Sequence, residues 1–224
     1  MTRPRIGLVH ALHASIAPIE AAFARGWPEA ETVNLYDQSL YADFNRSRRV
    51  TPELARRIER LLAFSAEAGA DAVLFTGSLF GEAVTAARAN LSVPVLTAYE
   101  AMIEESFLGA PDTAPRIGIL ATAASTIDMM KPDIAQYAVR NHFRYEIDAR
   151  HVAGAIDALL CGDRDEHDAL VLSAAADKPA SDVLMLAQFS MAPLAGRIPP
   201  REGRRVLSSP DSAVAKLKRL LNAD

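Results

Sequence analysis

The sequence predicts an α/β protein built from two similar parallel-sheet domains. Short apolar segments typical of buried strands alternate with helical segments, which favours parallel sheets covered by helices on both faces. An offset of 111 residues also relates the two halves, as in Arg5-Ile6-Gly7-Leu8-Val9 and Arg116-Ile117-Gly118-Ile119-Leu120. The same offset relates residues 71–76 to 182–187, 33–37 to 144–148, and 93–96 to 204–207. We therefore expect one four-strand unit used twice, as two flavodoxin-like domains related by a pseudo-two-fold, with the active-site cleft between them.

The first half contains the four strands of the first predicted domain, at residues 5–10, 32–36, 72–76 and 93–96. A helix is expected over residues 14–25, and a short helix between the third and fourth strands. A long amphipathic helix begins after Thr51, with Pro52 at its first position, and ends near Gly69. The segment before this helix is interpreted as a polar loop.

The second half repeats this plan, with strands at residues 117–121, 143–147 and 183–187 and near Val206. Helices are expected over residues 101–108, 125–140, 151–176 (with an interruption near 161–163) and 211–221. Because the repeat makes Val206 the counterpart of Val95, the chain should cross between domains near residues 96–99 and 204–209. The predicted domains are residues 1–97 with 206–224, and residues 98–205.

The composition indicates a cytoplasmic globular protein. The chain has 224 residues, 50% of them hydrophobic, and a net charge of −4 without a basic stripe, so we expect no nucleic-acid partner. No apolar run approaches the roughly 20 residues that span a membrane, and the first residues do not resemble a signal peptide. A lone cysteine gives neither a disulfide framework nor a zinc site. His142, His151 and His167 are interpreted as surface residues, and a homo-oligomer is left open.

The candidate site residues follow the predicted strands, because parallel sheets bind ligands at the carboxyl ends of their strands. His10 ends the first strand and is the best acid–base candidate, since imidazole titrates near neutral pH; the alternative is a hydrogen-bonded strand cap. Glu100 either orients His10, acts as a base, or is simply a helix N-terminal charge. Hydroxyls and an aromatic wall complete a set suited to a small carboxylate: Thr76, Ser78, Thr122, Ser125, Thr126, Phe189 and Ser190.

Four motifs resemble, in order and spacing, the aspartate/glutamate/hydantoin racemase superfamily, which also includes arylmalonate decarboxylase and maleate isomerase. They are residues 5–9, 71–81, 93–96 and 182–191, and the resemblance covers nearly the whole chain. It implies a cofactor-independent enzyme that acts on a small carboxylate through a carbanion or enolate. In this family each half contributes one cysteine just after its third strand: one removes the α-proton and the other returns a proton to the opposite face.

This chain departs from the family pattern at both cysteine positions, which are Gly77 and Gln188. Neither residue can transfer a proton near neutral pH, so racemisation by two thiols is not available. The decarboxylase subgroup also has glycine at the first position, but it keeps the second cysteine. The sequence leaves open whether Gly77 is natural or an engineered replacement of a cysteine.

Three functions therefore stay open. The first is a racemase-like isomerase. The second is a related lyase or hydrolase, in which the hydroxyls stabilise an enolate or oxyanion and His10 moves the proton. The third is a non-catalytic carboxylate binder. No dinucleotide fingerprint or P-loop is present, and no cofactor or metal is expected.

Overall fold

A computed structural model describes residues 3–109, 114–177 and 181–221 of the chain. It has two compact units: the first comprises Met1–Ala101 with Ala213–Asp224, and the second comprises Met102–Ser212. Each unit is built on one four-stranded parallel sheet with helices, as the α/β class requires. The predicted α/β fold with two similar parallel-sheet domains is confirmed.

The sheet of the first unit has the strand order β2-β1-β3-β4. Its strands are β1 (Arg5–His10), β2 (Glu31–Tyr36), β3 (Ala72–Phe75) and β4 (Val95–Leu96). The helices are α1 (Ile16–Gly26), α2 (Ser39–Ser47), α3 (Pro52–Glu67) and α4 (Gly81–Ala87). As predicted, α3 begins at the Thr51 cap, whose hydroxyl accepts a hydrogen bond from Leu54 N, and Gly69 follows it with a left-handed φ of +87°. Buried apolar side chains of β1, β3, α3 and α4 form one core.

The sheet of the second unit has the equivalent order β6-β5-β7-β8. Its strands are β5 (Arg116–Ala121), β6 (Glu146–His151), β7 (Val183–Leu186) and β8 (Arg205–Ser208). The helices that follow its strands are α6 (Ala124–Asn141), α7 (Ala155–Leu160) and α8 (Arg164–Ala176), and a 3-10 segment covers Phe189–Arg197. The chain passes from the first unit to the second within α5 (Glu100–Ser106) and returns to the first within α9 (Ser209–Leu221).

The repeat is visible in hydrogen bonds as well as in sequence. In the first unit, Asp71 Oδ2 accepts a hydrogen bond of 2.7 Å from Arg5 N. In the second, Asp182 Oδ2 accepts one of 2.8 Å from Arg116 N. These bonds fix the start of β3 beside β1 and the start of β7 beside β5 in the same way. The carboxyl ends of these strands consequently fall at equivalent places in the two sheets.

The strand predicted to correspond to β2 in the second half lies four residues later in the chain than the offset of 111 placed it. Arg5 pairs with Glu31 in the first sheet and Arg116 pairs with Glu146 in the second, so β6 lies 115 residues beyond β2. Asp148 therefore lies inside β6, beside Gly118, and not at a strand end. The connection that contains α6 is four residues longer than the one that contains α1, which is about one helical turn.

Two other regions differ from the prediction. The segment interpreted as a polar loop contains α2, in which Leu40 and Phe44, one turn apart, both pack on the core of the first unit. The second difference concerns β8, which pairs with β7 through Val206 and Leu184. This pairing keeps residues 205–208 in the second sheet, whereas the sequence placed residues from 206 onward with the first domain.

Candidate active site

A hydrogen-bonded cluster surrounds the end of β1. His10, the last residue of that strand, is fully buried. Its Nδ1 lies 2.9 Å from Thr76 Oγ1, just beyond β3, and 3.1 Å from Ser15 Oγ. Its Nε2 lies 2.8 Å from Asn34 Oδ1 on β2, and Asn34 Nδ2 donates to Glu20 Oε1 of α1 at 2.7 Å. These five residues are called the His10 cluster.

The partners of the His10 cluster determine where its protons lie. A carboxylate only accepts, so Asn34 must turn its amide nitrogen to Glu20 and its oxygen to His10. Nε2 of His10 must then carry a proton and donate it to Asn34. Ser15 donates its hydroxyl proton to Leu12 O at 2.7 Å, and the Thr76 hydroxyl lies 2.9 Å from Ser15 Oγ, 3.3 Å from Val9 O and 2.9 Å from Nδ1. We assign the Thr76 proton to the lone pair at Nδ1, which is closer than Val9 O and is the stronger acceptor. The ring is thus a neutral imidazole with an unprotonated Nδ1.

The environment of His10 favours this neutral form. Burial lowers the pKa of His10 below its ordinary value, and the positive charge of His13 acts in the same direction. The hydrogen bond to Asn34 and the negative charge of Glu20 oppose burial, but only in part. Near neutral pH the ring can therefore accept a proton at Nδ1.

Gly77 follows Thr76 and stands at the first family cysteine position. Its φ of −89° and ψ of 109° are accessible to any residue, so backbone conformation does not require glycine here. Steric contacts require glycine instead, because a Cβ at residue 77 would lie 2.7 Å from Phe75 Cε1 and 2.9 Å from Phe80 Cδ2. Both rings are buried and pack edge to face with their centroids 5.6 Å apart. The space that a cysteine side chain would need is filled by these rings.

Ser78 and Glu100 are the other candidate residues of the first unit. Ser78 is partly exposed at the start of a short 3-10 turn. Burial alone would raise the pKa of Glu100, but the hydrogen bond from Arg88 and the charges of Lys216 and Arg88 outweigh it and hold the pKa below its usual value. Its contacts are with Arg88 (2.7 Å), Lys216 (3.2 Å) and Thr97, and not with His10. Glu100 is therefore a poor base, held ionised by two cations.

In the second unit, Gln188 stands at the second cysteine position and connects the ends of β7 and β5. Its Oε1 accepts a hydrogen bond from Thr122 N at 2.9 Å, and its Nε2 donates to Thr126 Oγ1 at 2.9 Å. Thr122 and Thr126 are both fully buried. The side chain of Gln188 is thus held in place by two partners, and an amide in this setting neither accepts nor releases a proton near neutral pH.

The Thr122 hydroxyl is an unsatisfied group in this arrangement. Thr122 Oγ1 is buried and has no hydrogen-bond partner among the described residues. A buried polar group without a partner costs roughly 1–3 kcal/mol, which a polar ligand could recover. Nearby in sequence, Ser125 is exposed in the first turn of α6. Phe189 and Ser190 are buried at the start of the 3-10 segment.

A charged cluster on α8 holds the 3-10 segment that follows Gln188. Asp168 accepts hydrogen bonds from Arg197 Nη1 and from His167 Nδ1, each at 2.8 Å. Arg164 approaches the same carboxylate at 3.5 Å and donates to Ser190 O at 3.2 Å. His167 is fully buried, so its interpretation as a surface residue is wrong. Its neighbour Asp168 partners Nδ1, whereas Nε2 is buried and has no hydrogen-bond partner among the described residues.

Sequence reasoning missed Ser15, Glu20 and Asn34. Asn34 lies within an edge strand, where asparagine is unfavourable, and this was the one local signal of a specific role. Ser15 and Glu20 resemble ordinary residues at the start of a helix. Their partner His10 becomes visible only when β1, β2 and α1 are placed side by side.

Other kinds of site are not supported by the described residues. No group of three or more His, Cys, Asp or Glu side chains within residues 3–109, 114–177 and 181–221 could hold a metal ion. Over the same ranges, every helix is too short or too polar to cross a membrane. Cys161 is exposed just after α7.

Comparison with solved structures gives matches over nearly the whole chain. A glutamate racemase isoform from Bacillus anthracis has a TM-score of 0.69 and 14% identity, covering 100% of this chain and 83% of the other. Allantoin racemase from Klebsiella pneumoniae has a TM-score of 0.67 and 19% identity, covering 98% and 88%. A glycine-to-cysteine mutant of arylmalonate decarboxylase, in its sulfate-associated form, has a TM-score of 0.56 and 17% identity, covering 98% and 94%. At these identities the likeness shows the fold.

The sequence itself was compared with curated proteins and with family models. No curated protein matches. The model of the Asp/Glu/hydantoin racemase family matches residues 18–217, which include all the candidate positions except His10 and Ser15. With this match over most of its length, the chain belongs to the Asp/Glu/hydantoin racemase family.

Proposed function

We propose that this chain is a cofactor-independent enzyme that acts on a small carboxylate by carbanion or enolate chemistry, with His10 and Thr76 as its proton-transfer pair. The observation that carries the proposal is the 2.9 Å contact between His10 Nδ1 and Thr76 Oγ1 at the ends of adjacent parallel strands. Family membership supports the substrate class, and the unprotonated Nδ1 supports the role of His10 as the final proton acceptor.

The proposed step breaks one bond to the α-carbon and passes a proton along the pair. Thr76 Oγ1 takes the α-proton while it releases its own hydroxyl proton to His10 Nδ1. The carbon–hydrogen electron pair stays on the substrate as an enolate, and His10 becomes an imidazolium. Return of the proton along the same route regenerates the neutral ring. We propose that Ser78, which follows Thr76 and Gly77 in the same unit, contributes a hydrogen bond to a substrate oxygen.

A single pair of this kind favours chemistry on one face of the carbanion. Racemisation needs a second acid on the opposite face, and the residues at the family's thiol positions, Gly77 and Gln188, carry no titratable group. Exchange of the α-proton with retention needs one proton-transfer pair only and starts from the neutral ring. Decarboxylation followed by protonation also needs one pair only, but the pair must first take up a proton from solvent at His10 Nδ1, which then passes through Thr76 to the carbanion. We therefore favour these reactions over two-base racemisation.

A second candidate function is carboxylate binding without chemistry. It is favoured by the two partners that fix the Gln188 amide and by the ring packing that excludes a side chain at residue 77. In this case the chain would keep the hydroxyl-lined strand ends of the family without its turnover.

Proton exchange in D₂O separates these functions. The protein is incubated with a panel of amino acids, hydantoins, 2-aryl acids and arylmalonates, and α-deuteration, decarboxylation and hydrolysis are followed by NMR. We expect deuterium at the α-carbon of at least one compound, or release of CO₂ with deuterium in the product. Thermal stabilisation by a carboxylate without any reaction would instead support the binder, and hydrolysis without α-exchange would support a hydrolase.

A further inference from the structure

Two residues outside the strand ends, Asn34 and Glu20, face the side of the His10 ring that points away from the hydroxyls. They form a linear series of contacts in which His10 Nε2 lies 2.8 Å from Asn34 Oδ1, and Asn34 Nδ2 lies 2.7 Å from Glu20 Oε1. His10 is completely buried, whereas both partners are exposed. The series therefore connects a buried imidazole to a carboxylate at the surface.

An asparagine can hold either tautomer of a histidine, depending on which end of its amide faces the ring. With the oxygen towards Nε2, the ring must carry its proton at Nε2. With the nitrogen towards Nε2, the ring must carry its proton at Nδ1. Glu20 settles this choice, because a carboxylate beside the outer end of the amide attracts Nδ2 and repels Oδ1. Only the tautomer with an unprotonated Nδ1 can accept a proton from Thr76.

We infer that Asn34 and Glu20 are positioning residues, which hold His10 in the single tautomer that keeps Nδ1 unprotonated and facing Thr76 and Ser15. The inference rests on the proposed function for its catalytic meaning, but the tautomer itself is a property of the free protein. The charged groups that act on His10 are Glu20 from α1 and His13 from the turn before it. The hydrogen-bond partners of the ring are the uncharged Asn34, Ser15 and Thr76.

The test is a ¹⁵N-detected NMR measurement of the His10 tautomer in the unliganded protein and its variants. The wild type is expected to show the Nε2-protonated ring. Glu20→Leu removes the carboxylate and leaves the Asn34 amide free to turn, so a mixture of tautomers is expected. Glu20→Gln still offers an oxygen to Asn34 Nδ2 and should restore much of the wild-type signal. Asn34→Asp can only accept, so it should keep the Nε2 proton and raise the pKa of His10.

A surface pair of the same chemistry supplies the control. Asn90 Nδ2 donates to Glu59 Oε1 at 2.8 Å on exposed surface, so Glu59→Leu removes an equivalent bond. It should leave the His10 signals unchanged. If Glu20→Leu leaves the tautomer of His10 unchanged and Asn34→Asp leaves its pKa unchanged, the inference is overturned.

Turnover gives a second readout where a substrate has been found. We expect Glu20→Leu to lower kcat in proportion to the fraction of protein whose Nδ1 is protonated in the NMR spectrum, with little change in KM, because that population is inactive. Equal populations of the two tautomers would give a loss of about twofold. Glu20→Gln should recover most of the loss. A tautomer that shifts as expected, in a protein with no reaction on any compound, would uphold the positioning role and reject the proposed function.

Discussion

Replacement of His10 by glutamine is expected to slow α-proton exchange by roughly 10²- to 10⁴-fold, the usual contribution of a general base. Glutamine can still donate to Asn34 Oδ1, so much of the hydrogen-bonding structure is preserved, but it offers no proton acceptor to Thr76. The measurement is the rate of α-deuteration of the best substrate from the panel, with binding followed separately by calorimetry. Binding should change little, because the His10 ring receives protons and does not hold the carboxylate.

His13→Gln is the matched control for this substitution. His13 lies three residues away, is exposed, and makes an edge-to-face contact with Tyr36 at a centroid distance of 5.9 Å. It should leave the exchange rate within about twofold of wild type, since surface substitutions away from a site usually have small effects. If His10→Gln and His13→Gln both exchange the α-proton at the wild-type rate, His10 is not the base.

The His10→Gln variant should also change how the free energy of unfolding depends on pH. Because the pKa of His10 is lowered on folding, the unfolded chain takes up a proton at this residue before the folded protein does. The free energy of unfolding should therefore fall as pH drops below about 6.5, the ordinary histidine value. Urea titrations at pH 7.5 and 5.5 measure this loss, which should be smaller in His10→Gln than in wild type. A loss of the same size in both proteins would contradict the burial of a neutral His10.

The second large effect concerns Gly77. Gly77→Ala and Gly77→Cys should each lower the free energy of unfolding by about 1–3 kcal/mol, the usual cost of overpacking a filled core. The added Cβ meets the edges of Phe75 and Phe80 at less than 3.0 Å, and Phe80 is in turn held against Phe44 at a centroid distance of 5.7 Å. Chemical denaturation of the purified variants measures the loss.

Gly196→Ala is the control for Gly77→Ala, because a Cβ at residue 196 would meet no heavy atom within 4 Å and the φ of Gly196 is not positive. Its free energy of unfolding should stay within about 0.5 kcal/mol of wild type. Gly77→Cys should also fail to create a racemase when combined with Gln188→Cys. A double variant that is as stable as wild type and racemises a substrate would show that the Phe75 and Phe80 rings move aside at little cost, and would contradict the steric exclusion of a side chain at residue 77.

Much of the fold could be predicted from the sequence, because a repeated motif constrains strands in pairs. The bonds from Asp71 to Arg5 and from Asp182 to Arg116 are local consequences of the two matching motifs. The offset of 111 placed β6 wrongly relative to β2 because a helix between two strands can gain a turn without disturbing the sheet. The helices predicted over residues 14–25 and 125–140 already differ in length by four residues, a difference that the constant offset of 111 ignores.

The candidate site was predictable at the level of positions and not at the level of contacts. His10 and Thr76 could be placed at adjacent strand ends, since β1 and β3 pair in parallel. The ion pairs of Glu100 with Arg88 and Lys216 could not be predicted. Lys216 lies on α9, and the repeat did not specify where that helix packs. The fit of Gln188 between Thr122 N and Thr126 depends on side-chain rotamers, which sequence patterns do not encode.

The central claim is that proton transfer occurs at one pair, His10 and Thr76, on one face of the substrate. The most direct measurement compares two rates for an enantiomerically pure substrate in D₂O: incorporation of α-deuterium by NMR, and loss of optical purity by chiral chromatography, each corrected for the reaction without protein. With one proton-transfer pair, we expect deuterium incorporation to be much faster than loss of optical purity, and both to be lost in Thr76→Val. Equal rates of exchange and inversion would require an acid on the opposite face and would contradict proton transfer at a single pair.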